Sequence, residues 1–462
     1  MAAAEIISKD IIDRLKAIAG PENVVSDEAG LLAYAYDATR LKGTPQAVVR
    51  PGTEEEVSKI LILSSEHGIP VIPRGAGSGL SGGAVASRGG IILSFERMSR
   101  ILAIDVGNRI ATVQPGVVTG DLQRAVEEKG LFYPPDPGSL AFCTIGGNVA
   151  ENAGGMRAVK YGVTRDYVTG LRAVLPSGEV IRAGVKTAKG VVGYDLARLL
   201  VGSEGTLAVV TEITLRLIPL PERVITMTAF FAGTRLAGEA VAAIMASPYT
   251  PRCLEFLDGE ALNAGAKKIG YALPEGAGAF LLVETDGNRE EAARQMDGIR
   301  GLMKDKALEI KITQDKAFAV ELWKLRRSTS QALFSIAPHK INEDTVVPIA
   351  KVPEALEGFR EIASRSGQKI ICFGHAGDGN IHVNVMTDKS DPERLRKAEE
   401  AIEEVFRLVL ALGGTISGEH GIGLTKLPYI GMELSDGELN LLKKIKSVFD
   451  PQGILNPGKI FP

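Results

Sequence analysis

Four glycine-rich stretches, all placed ahead of a single Pro-Leu-Pro break, constrain this chain more than any other feature. They are Pro73–Gly83, Pro134–Ser139, Thr144–Gly155 and Gly202–Thr206, and the break is Pro219-Leu220-Pro221. The 53 glycines exceed the usual share, about 7% of residues. Clustered glycine brings bare backbone close to a bound group. Gly77, Gly79 and Gly82 satisfy the spacing G-x-G-x-x-G, but that fingerprint needs a helix directly after it. The next expected element is the strand Ile91–Leu93, so a doubly wound dinucleotide fold fails on context. What remains is a loop whose N–H groups can nest an anion. One extended nucleotide held by all four stretches accounts for their common place before Pro219.

The bulk numbers narrow the field further. Lys and Arg number 53 against 56 Asp and Glu, a net charge of -3, which points to neither nucleic acid nor an anionic membrane as partner. At roughly 150 residues per domain, the length allows two or three domains. Cys143, Cys253 and Cys372 lie far apart with no C-x-x-C pair. Neither a disulfide framework nor an iron–sulfur cluster held by this chain is expected. The leader MAAAEIISKD lacks a basic segment followed by an apolar one, so no signal peptide is read. The apolar run Val405–Leu412 is short and interrupted by Arg407, so no span of a bilayer is read. A soluble, cytoplasmic protein is expected.

Periodicity predicts a helix over 5–19, stopped by Gly20-Pro21. Strands follow at Ala47–Val49, Ile69–Ile72, Ile91–Leu93 and Ile110–Val113, with helices at Glu54–His67 and Thr119–Lys129. A second β-rich block covers Val168–Leu175, Val180–Ala183 and Leu207–Leu217. This is an α+β pattern. After Pro219 the order becomes β-α-β-β-α-β: Val224–Phe231, a helix to Ser247, Cys253–Leu257, Phe280–Thr285, a helix to Lys306, and Leu308–Thr313. That is the ferredoxin-like unit. A helix at Asp315–Ile336 follows, and the order then recurs through Asp344–Pro348, a helix to Ser366, Lys369–Phe373, Asn380–Met386 and Pro392–Leu412. Two such halves can share one large antiparallel sheet. The expected domains are residues 1–219, 220–413 and a terminal segment 414–462.

Three of the five histidines fall in two glycine-bearing segments. The first runs Gly374-His375-Ala376-Gly377-Asp378-Gly379-Asn380-Ile381-His382-Val383-Asn384, with turn chemistry at 376–379, and reads as a β-hairpin. His375 ends one strand and His382 lies in the other, with Asn384 on the same face as His382. The second is Ser417-Gly418-Glu419-His420-Gly421-Ile422-Gly423. Two histidines and one carboxylate make an open ligand set for Zn, Fe(II) or Mn, leaving positions for substrate. A lone histidine is more often a hydrogen-bonded core residue; a hairpin pair joined by Glu-His in a glycine frame favours metal chemistry.

Together these motifs closely resemble the FAD-linked oxidases of the vanillyl-alcohol-oxidase fold. Within that fold the chain looks like the D-lactate and D-2-hydroxyacid dehydrogenase branch, which includes the catalytic subunit of glycolate oxidase. The resemblance covers nearly the whole length. It implies a two-part FAD-binding domain and a cap domain whose large antiparallel sheet is built from ferredoxin-like halves. Pro73, Arg74, Gly75, Ala76, Gly77, Ser78, Gly79, Leu80 and Ser81 would then hold the FAD pyrophosphate. Pro137, Gly138, Ser139, Thr144, Ile145, Gly146, Gly147, Ala150, Asn152, Gly155, Tyr161 and Gly162 would line the flavin and ribityl chain. Glu204, Gly205, Thr206 and Val210 would meet the adenine side, and Asn456-Pro457-Gly458-Lys459 would fold back near the isoalloxazine. Some relatives tether the flavin through a histidine where this chain has Ser78, so non-covalent FAD is expected.

The same resemblance assigns His375, His382 and Glu419 to a divalent metal and His420 to the general base. Arg326 and Lys340 correspond to carboxylate-binding positions, with Asn384 beside them at the substrate. The implied reaction oxidises a small D-2-hydroxy acid, D-lactate or glycolate, to the 2-oxo acid, with hydride passing to flavin N5 and the hydroxyl proton to a neutral imidazole. Electrons would leave to an iron–sulfur subunit, an electron-transferring flavoprotein or quinone. Such a partner would also account for any peripheral attachment at the cytoplasmic membrane face, and a homo-oligomer is compatible with the sequence. Two rivals stand beside this reading: an ether-lipid (alkylglycerone phosphate) synthase of the same fold, and a non-catalytic flavin-binding electron-transfer subunit. The sequence shows no added phosphate site or apolar tunnel for the first, and the second has no need of the metal set.

Overall fold

The computed structural model describes residues 7–461. The first helix is Lys9–Ala19; residues 5 and 6 of its predicted span, and the start of the leader sequence, lie outside the described residues. By contact the chain divides into two units. The first comprises the residues up to Gly154, Val163–Leu220 and Glu419–Pro462, and the second Gly155–Gly162 and Pro221–Gly418.

The first unit carries β1 (Val24–Val25), β2 (Ala47–Val49), β3 (Val71–Arg74), β4 (Ile91–Ser94), β5 (Ile101–Asp105), β6 (Ile110–Val113), β7 (Leu131–Phe132), β8 (Val168–Val174), β9 (Val180–Gly184), β10 (Val209–Arg216) and β11 (Ile218–Pro219). A four-stranded sheet runs β1-β2-β4-β3, a five-stranded sheet runs β5-β6-β10-β8-β9, and β7 pairs with β11. The helix Glu54–Glu66 begins where Thr53 Oγ1 accepts the N–H of Glu56. Its first turn is Glu54-Glu55-Glu56, which suits the positive end of the helix dipole. It buries Val57, Ile60 and Leu61 with Val49, Val71 and Leu93, each full burial stabilising by about 1.5–3 kcal/mol.

The second unit is built on β12 (Arg223–Phe231), β13 (Cys253–Asp258), β14 (Ala279–Gly287), β15 (Glu309–Thr313), β16 (His339–Val346), β17 (Lys369–His375) and β18 (Asn380–Thr387). They form one sheet in the order β15-β12-β14-β13-β17-β18-β16, every pairing antiparallel. The first four strands are a complete ferredoxin-like unit. The last three are a second such unit without its fourth strand, and the halves join through β13 and β17. The expected large antiparallel sheet is therefore present.

Because alternate residues face opposite sides, each strand feeds two cores. Leu254, Phe256, Leu281, Val283, Ile381 and Val383 pack against helices on one face. Leu257, Phe280, Leu282, Ile371, Phe373 and Met386 pack on the other with Leu322, Trp323 and Leu325 of the helix Lys316–Ala332.

Two segments needed correction. The glycine-rich stretch Thr144–Gly155, given no element in the sequence reading, holds a helix at Ile145–Glu151, with Thr144 Oγ1 accepting from Gly147 N at 3.3 Å. Glycine's poor helix propensity hid it. The strand expected at Asp344–Pro348 begins five residues earlier, at His339. Its residues Lys340, Asn342 and Asp344, on the side shared with His382 and Asn384, are polar, so the hydrophobic signal of a strand is missing there.

Candidate functional site

In the first unit the glycine stretches meet one another. A Cβ on Gly75 would lie 2.3 Å from Thr144 Oγ1, so only glycine allows the loop after β3 to touch the start of the helix Ile145–Glu151. Gly77 adopts φ +66°, and a Cβ there would strike the Arg74 guanidinium at 2.3 Å. Arg74 is buried and donates to the Ala84 and Tyr34 carbonyls, bracing the loop from beneath. The Ala150 carbonyl accepts the N–H of Glu204 at 2.8 Å. Asn456 Nδ2 then donates to the carbonyls of both Gly83 and Glu204, at 2.9 and 2.8 Å, and Leu455 bridges Val71. The carboxyl-terminal segment thus returns onto the glycine loops.

A nucleotide fits this surroundings on two counts. A Cβ at Gly138 would meet nothing within 4 Å, and at Gly79 the nearest atom is Glu151 Oε1 at 4.0 Å, so backbone there is open to approach. Ser81 Oγ and Glu151 Oε2 are buried without a hydrogen-bond partner, unusual for polar atoms sealed from water.

Two of the residues expected at the FAD have side-chain partners within the protein. Glu204 turns its carboxylate to the N–H groups of Ile422 and Gly423, at 2.7 and 2.8 Å. Tyr161, with Gly155 and Gly162, belongs to the second unit, where its Oη donates to Asp286 at 2.8 Å. Pro137–Ser139 form a turn in which Leu140 N donates to Pro137 O, and Val210 lies in β10.

Sequence reasoning passed over Glu151. Burial pushes its pKa well up, and neighbouring Glu204 and Asp37 add repulsion against the pull of Lys459. Burial in turn pushes Lys459 down to about 8 against the opposing pull of those acids. The only signal was a single acid inside a run of Gly, Ala and Asn.

In the second unit the histidine hairpin is observed. The register pairs His375 with Asn380, and His382 with Phe373. The two histidines are therefore diagonal neighbours on one face, with ring centroids 5.2 Å apart and planes at 84°. Asn384, two residues on, donates through Nδ2 to the Ile371 and His382 carbonyls, and its Oδ1 is buried without a partner.

The residue that organises this face is one the sequence reading missed. Glu255, in the middle of β13, is fully buried. One carboxylate oxygen lies 2.6 Å from His375 Nδ1, and the other accepts Arg326 Nε at 2.6 Å. Burial alone would raise its pKa, but His375 and Arg326 outweigh that and hold it below the ordinary value. Breaking such a pair by removing one partner typically costs about 3–5 kcal/mol. The Arg326 guanidinium also lies 4.9 Å from the centroid of Phe373. Lys340 Nζ approaches the same ring at 5.8 Å and donates to Ser330 Oγ at 2.8 Å. Two cations thus converge on Phe373, and burial pushes Lys340 down to about 8.

Asp344 is the second carboxylate beside the hairpin. It is fully buried, accepts Asn380 Nδ2 at 2.6 Å and Gly418 N at 2.9 Å, and lies 3.7 Å from His382 Nδ1. Gly418 is joined directly to Glu419-His420. In the first unit, the Glu419 carboxylate lies 3.0 Å from where a Gly154 Cβ would stand. Carboxylate-backed imidazole, as at His375, is the usual outer arrangement of a metal-ligating histidine, and the donor set fits Zn, Fe(II) or Mn.

Glycine loops that admit a nucleotide in one unit and a polar-faced antiparallel sheet in the other agree with comparisons to known proteins, which define the class of protein as an FAD-linked oxidoreductase. Residues 45–184 match the family model described as FAD binding domain, and residues 220–460 match FAD linked oxidases, C-terminal domain. The chain belongs to the FAD-linked oxidase family of the vanillyl-alcohol-oxidase fold, and is an FAD-dependent oxidoreductase. It is 45% identical to the glycolate oxidase subunit GlcD of Bacillus subtilis, over 99% of this chain and 97% of the relative. It is 36% identical to the D-lactate dehydrogenase of Anaerostipes hadrus, over 98% of each. Among solved structures, p-cresol methylhydroxylase superposes with a TM-score of 0.78 at 18% identity, over 97% of this chain and 96% of that one. An alkyldihydroxyacetonephosphate synthase superposes with a TM-score of 0.74 at 19% identity, over 98% and 86%. At such identities these two show the fold alone. Among the described residues no helix is long and apolar enough to cross a membrane.

Proposed function

We propose that this chain oxidises a small D-2-hydroxy acid, with D-lactate and glycolate as the leading substrates, and passes the electrons to a separate acceptor. The observation that carries this reading is Glu255, whose one buried carboxylate holds both a metal-type histidine and a carboxylate-binding arginine. Relatives named glycolate oxidase subunit and D-lactate dehydrogenase support the substrate class. When bound, FAD supplies the hydride acceptor and a divalent ion supplies a Lewis acid for the substrate hydroxyl. The chain's own residues do the rest. His375, His382 and Glu419 hold the ion, while Arg326, Lys340 and Asn384 fix the substrate carboxylate. His420 takes the hydroxyl proton as a neutral imidazole. The glycine stretches of the first unit hold FAD without a covalent link.

Reduced flavin must then be reoxidised. The B. subtilis relative is named a subunit, which supports a protein partner, an iron–sulfur subunit or electron-transferring flavoprotein, with quinone as the other acceptor class. An anaerobic screen of D- and L-2-hydroxy acids, following bleaching of bound FAD, tests the reading. D-lactate or glycolate should bleach the flavin, and re-aeration should restore colour slowly compared with an artificial dye. No bleaching by any 2-hydroxy acid would turn attention to the synthase. Rapid reoxidation by air with stoichiometric peroxide would make the protein an oxidase.

Lys340 gives the reaction a pH limit. With its pKa near 8, the amine is charged below that pH and loses its proton as pH rises through it. Carboxylate capture therefore weakens on the alkaline side. We expect kcat/KM to fall above pH 8, toward tenfold per unit, while Lys340→Arg, which stays charged, should flatten that limb. An unchanged alkaline limb in Lys340→Arg would assign it to another group.

A further inference from the structure

We propose that Glu255 is a positioning residue that locks the metal-binding nitrogen of His375 and the orientation of Arg326 to each other. This rests on the roles proposed above for those two residues. Glu255 lies 120 residues before His375 and 71 before Arg326, yet its two oxygens reach one nitrogen of each at 2.6 Å. One Glu255 oxygen accepts Arg326 Nε–H, and a carboxylate paired in this way with a guanidinium can only accept at its other oxygen as well. His375 must then carry its proton on Nδ1, which makes Nε2 the lone-pair nitrogen offered to a metal. The same carboxylate engages Arg326 through Nε, so the two Nη groups at the end of the fork are the ones offered to an incoming carboxylate. Because Glu255 is fully buried, water cannot substitute for either oxygen. One rigid group thereby sets the spacing between the ion's ligand and the substrate's anchor.

The stoichiometry of donors and acceptors yields the test. Glutamate offers two acceptors to two donors, whereas glutamine offers one. Glu255→Gln must therefore leave either His375 Nδ1–H or Arg326 Nε–H facing an amide N–H. The FAD-loaded, chelator-stripped protein would be titrated with Mn2+ and Zn2+ by calorimetry, and KM for the 2-hydroxy acid measured alongside. Glu255→Gln is expected to weaken metal binding about 10–100-fold and to raise KM, with FAD content unchanged. In the paired variant Glu255→Gln/Arg326→Met the amide oxygen is free to serve His375. Metal affinity should return to near the wild-type value while KM stays high. A merely structural salt bridge would shift the melting temperature and leave metal affinity untouched. If Glu255→Gln does not fold, the paired variant carries the test, and loss of metal binding there overturns the proposal. Wild-type metal affinity in Glu255→Gln overturns it too while leaving the proposed function standing. A wild-type protein that takes up neither ion overturns both.

Discussion

Stripping divalent ions from the FAD-loaded protein is expected to abolish flavin reduction by 2-hydroxy acid while every flavin stays bound. A hydroxyl left without a Lewis acid keeps a pKa near that of water, roughly 16, whereas an oxygen bound to an ion falls to about 7. A histidine, with its ordinary pKa near 6.5, can take the proton only in the second case. His382→Ala should reproduce the loss. His382 is not among the residues proposed to hold FAD, so the flavin content should be unaffected. Stopped-flow reduction of the apo-metal protein, before and after adding back Zn2+, Mn2+ or Fe2+, measures it. Full-rate reduction by the stripped protein would make His375 and His382 structural residues and remove the ion from the reaction.

His420→Asn is expected to slow flavin reduction by about 10²–10⁴-fold, the usual cost of losing a general base. Asparagine retains polar groups of similar reach, so metal content and substrate affinity should survive. The acidic limb of the kcat/KM profile, set by protonation of the base, should vanish with it. A small loss with an unchanged acidic limb would place the base elsewhere, and an unchanged turnover would bring forward a flavin subunit with no chemistry of its own. Reading pre-steady-state reduction rather than turnover keeps a slow acceptor step from masking either outcome.

Much of this architecture was open to local reading because its signals are local. The turn residues between His375 and Asn380 close a hairpin between strands adjacent in sequence. Once the hairpin forms, the two-residue period places Asn384 on the face of His382. The glycine runs mark where backbone must come close, as Gly75 against Thr144 Oγ1 shows. The recurring strand–helix order after Pro221 announces two ferredoxin-like halves, and the observed sheet joins them.

The remaining features depend on pairings across long stretches of chain, which composition and period do not encode. Nothing around Glu255 distinguishes it from any acid in a strand; only the β13–β17 junction brings it to His375. Asp344 gains its place only where β16 pairs with β18 and sets it opposite His382. Asn456 acquires its role only when the carboxyl-terminal segment returns to Gly83 and Glu204. The strand from His339 carries no hydrophobic signal because Lys340, Asn342 and Asp344 on one of its faces are polar. The sequence by itself therefore determined which segments bend, pair locally and present chemistry. Tertiary structure decided which buried carboxylate faces which cation or imidazole, because an ion pair out of water is stable only when both partners arrive together.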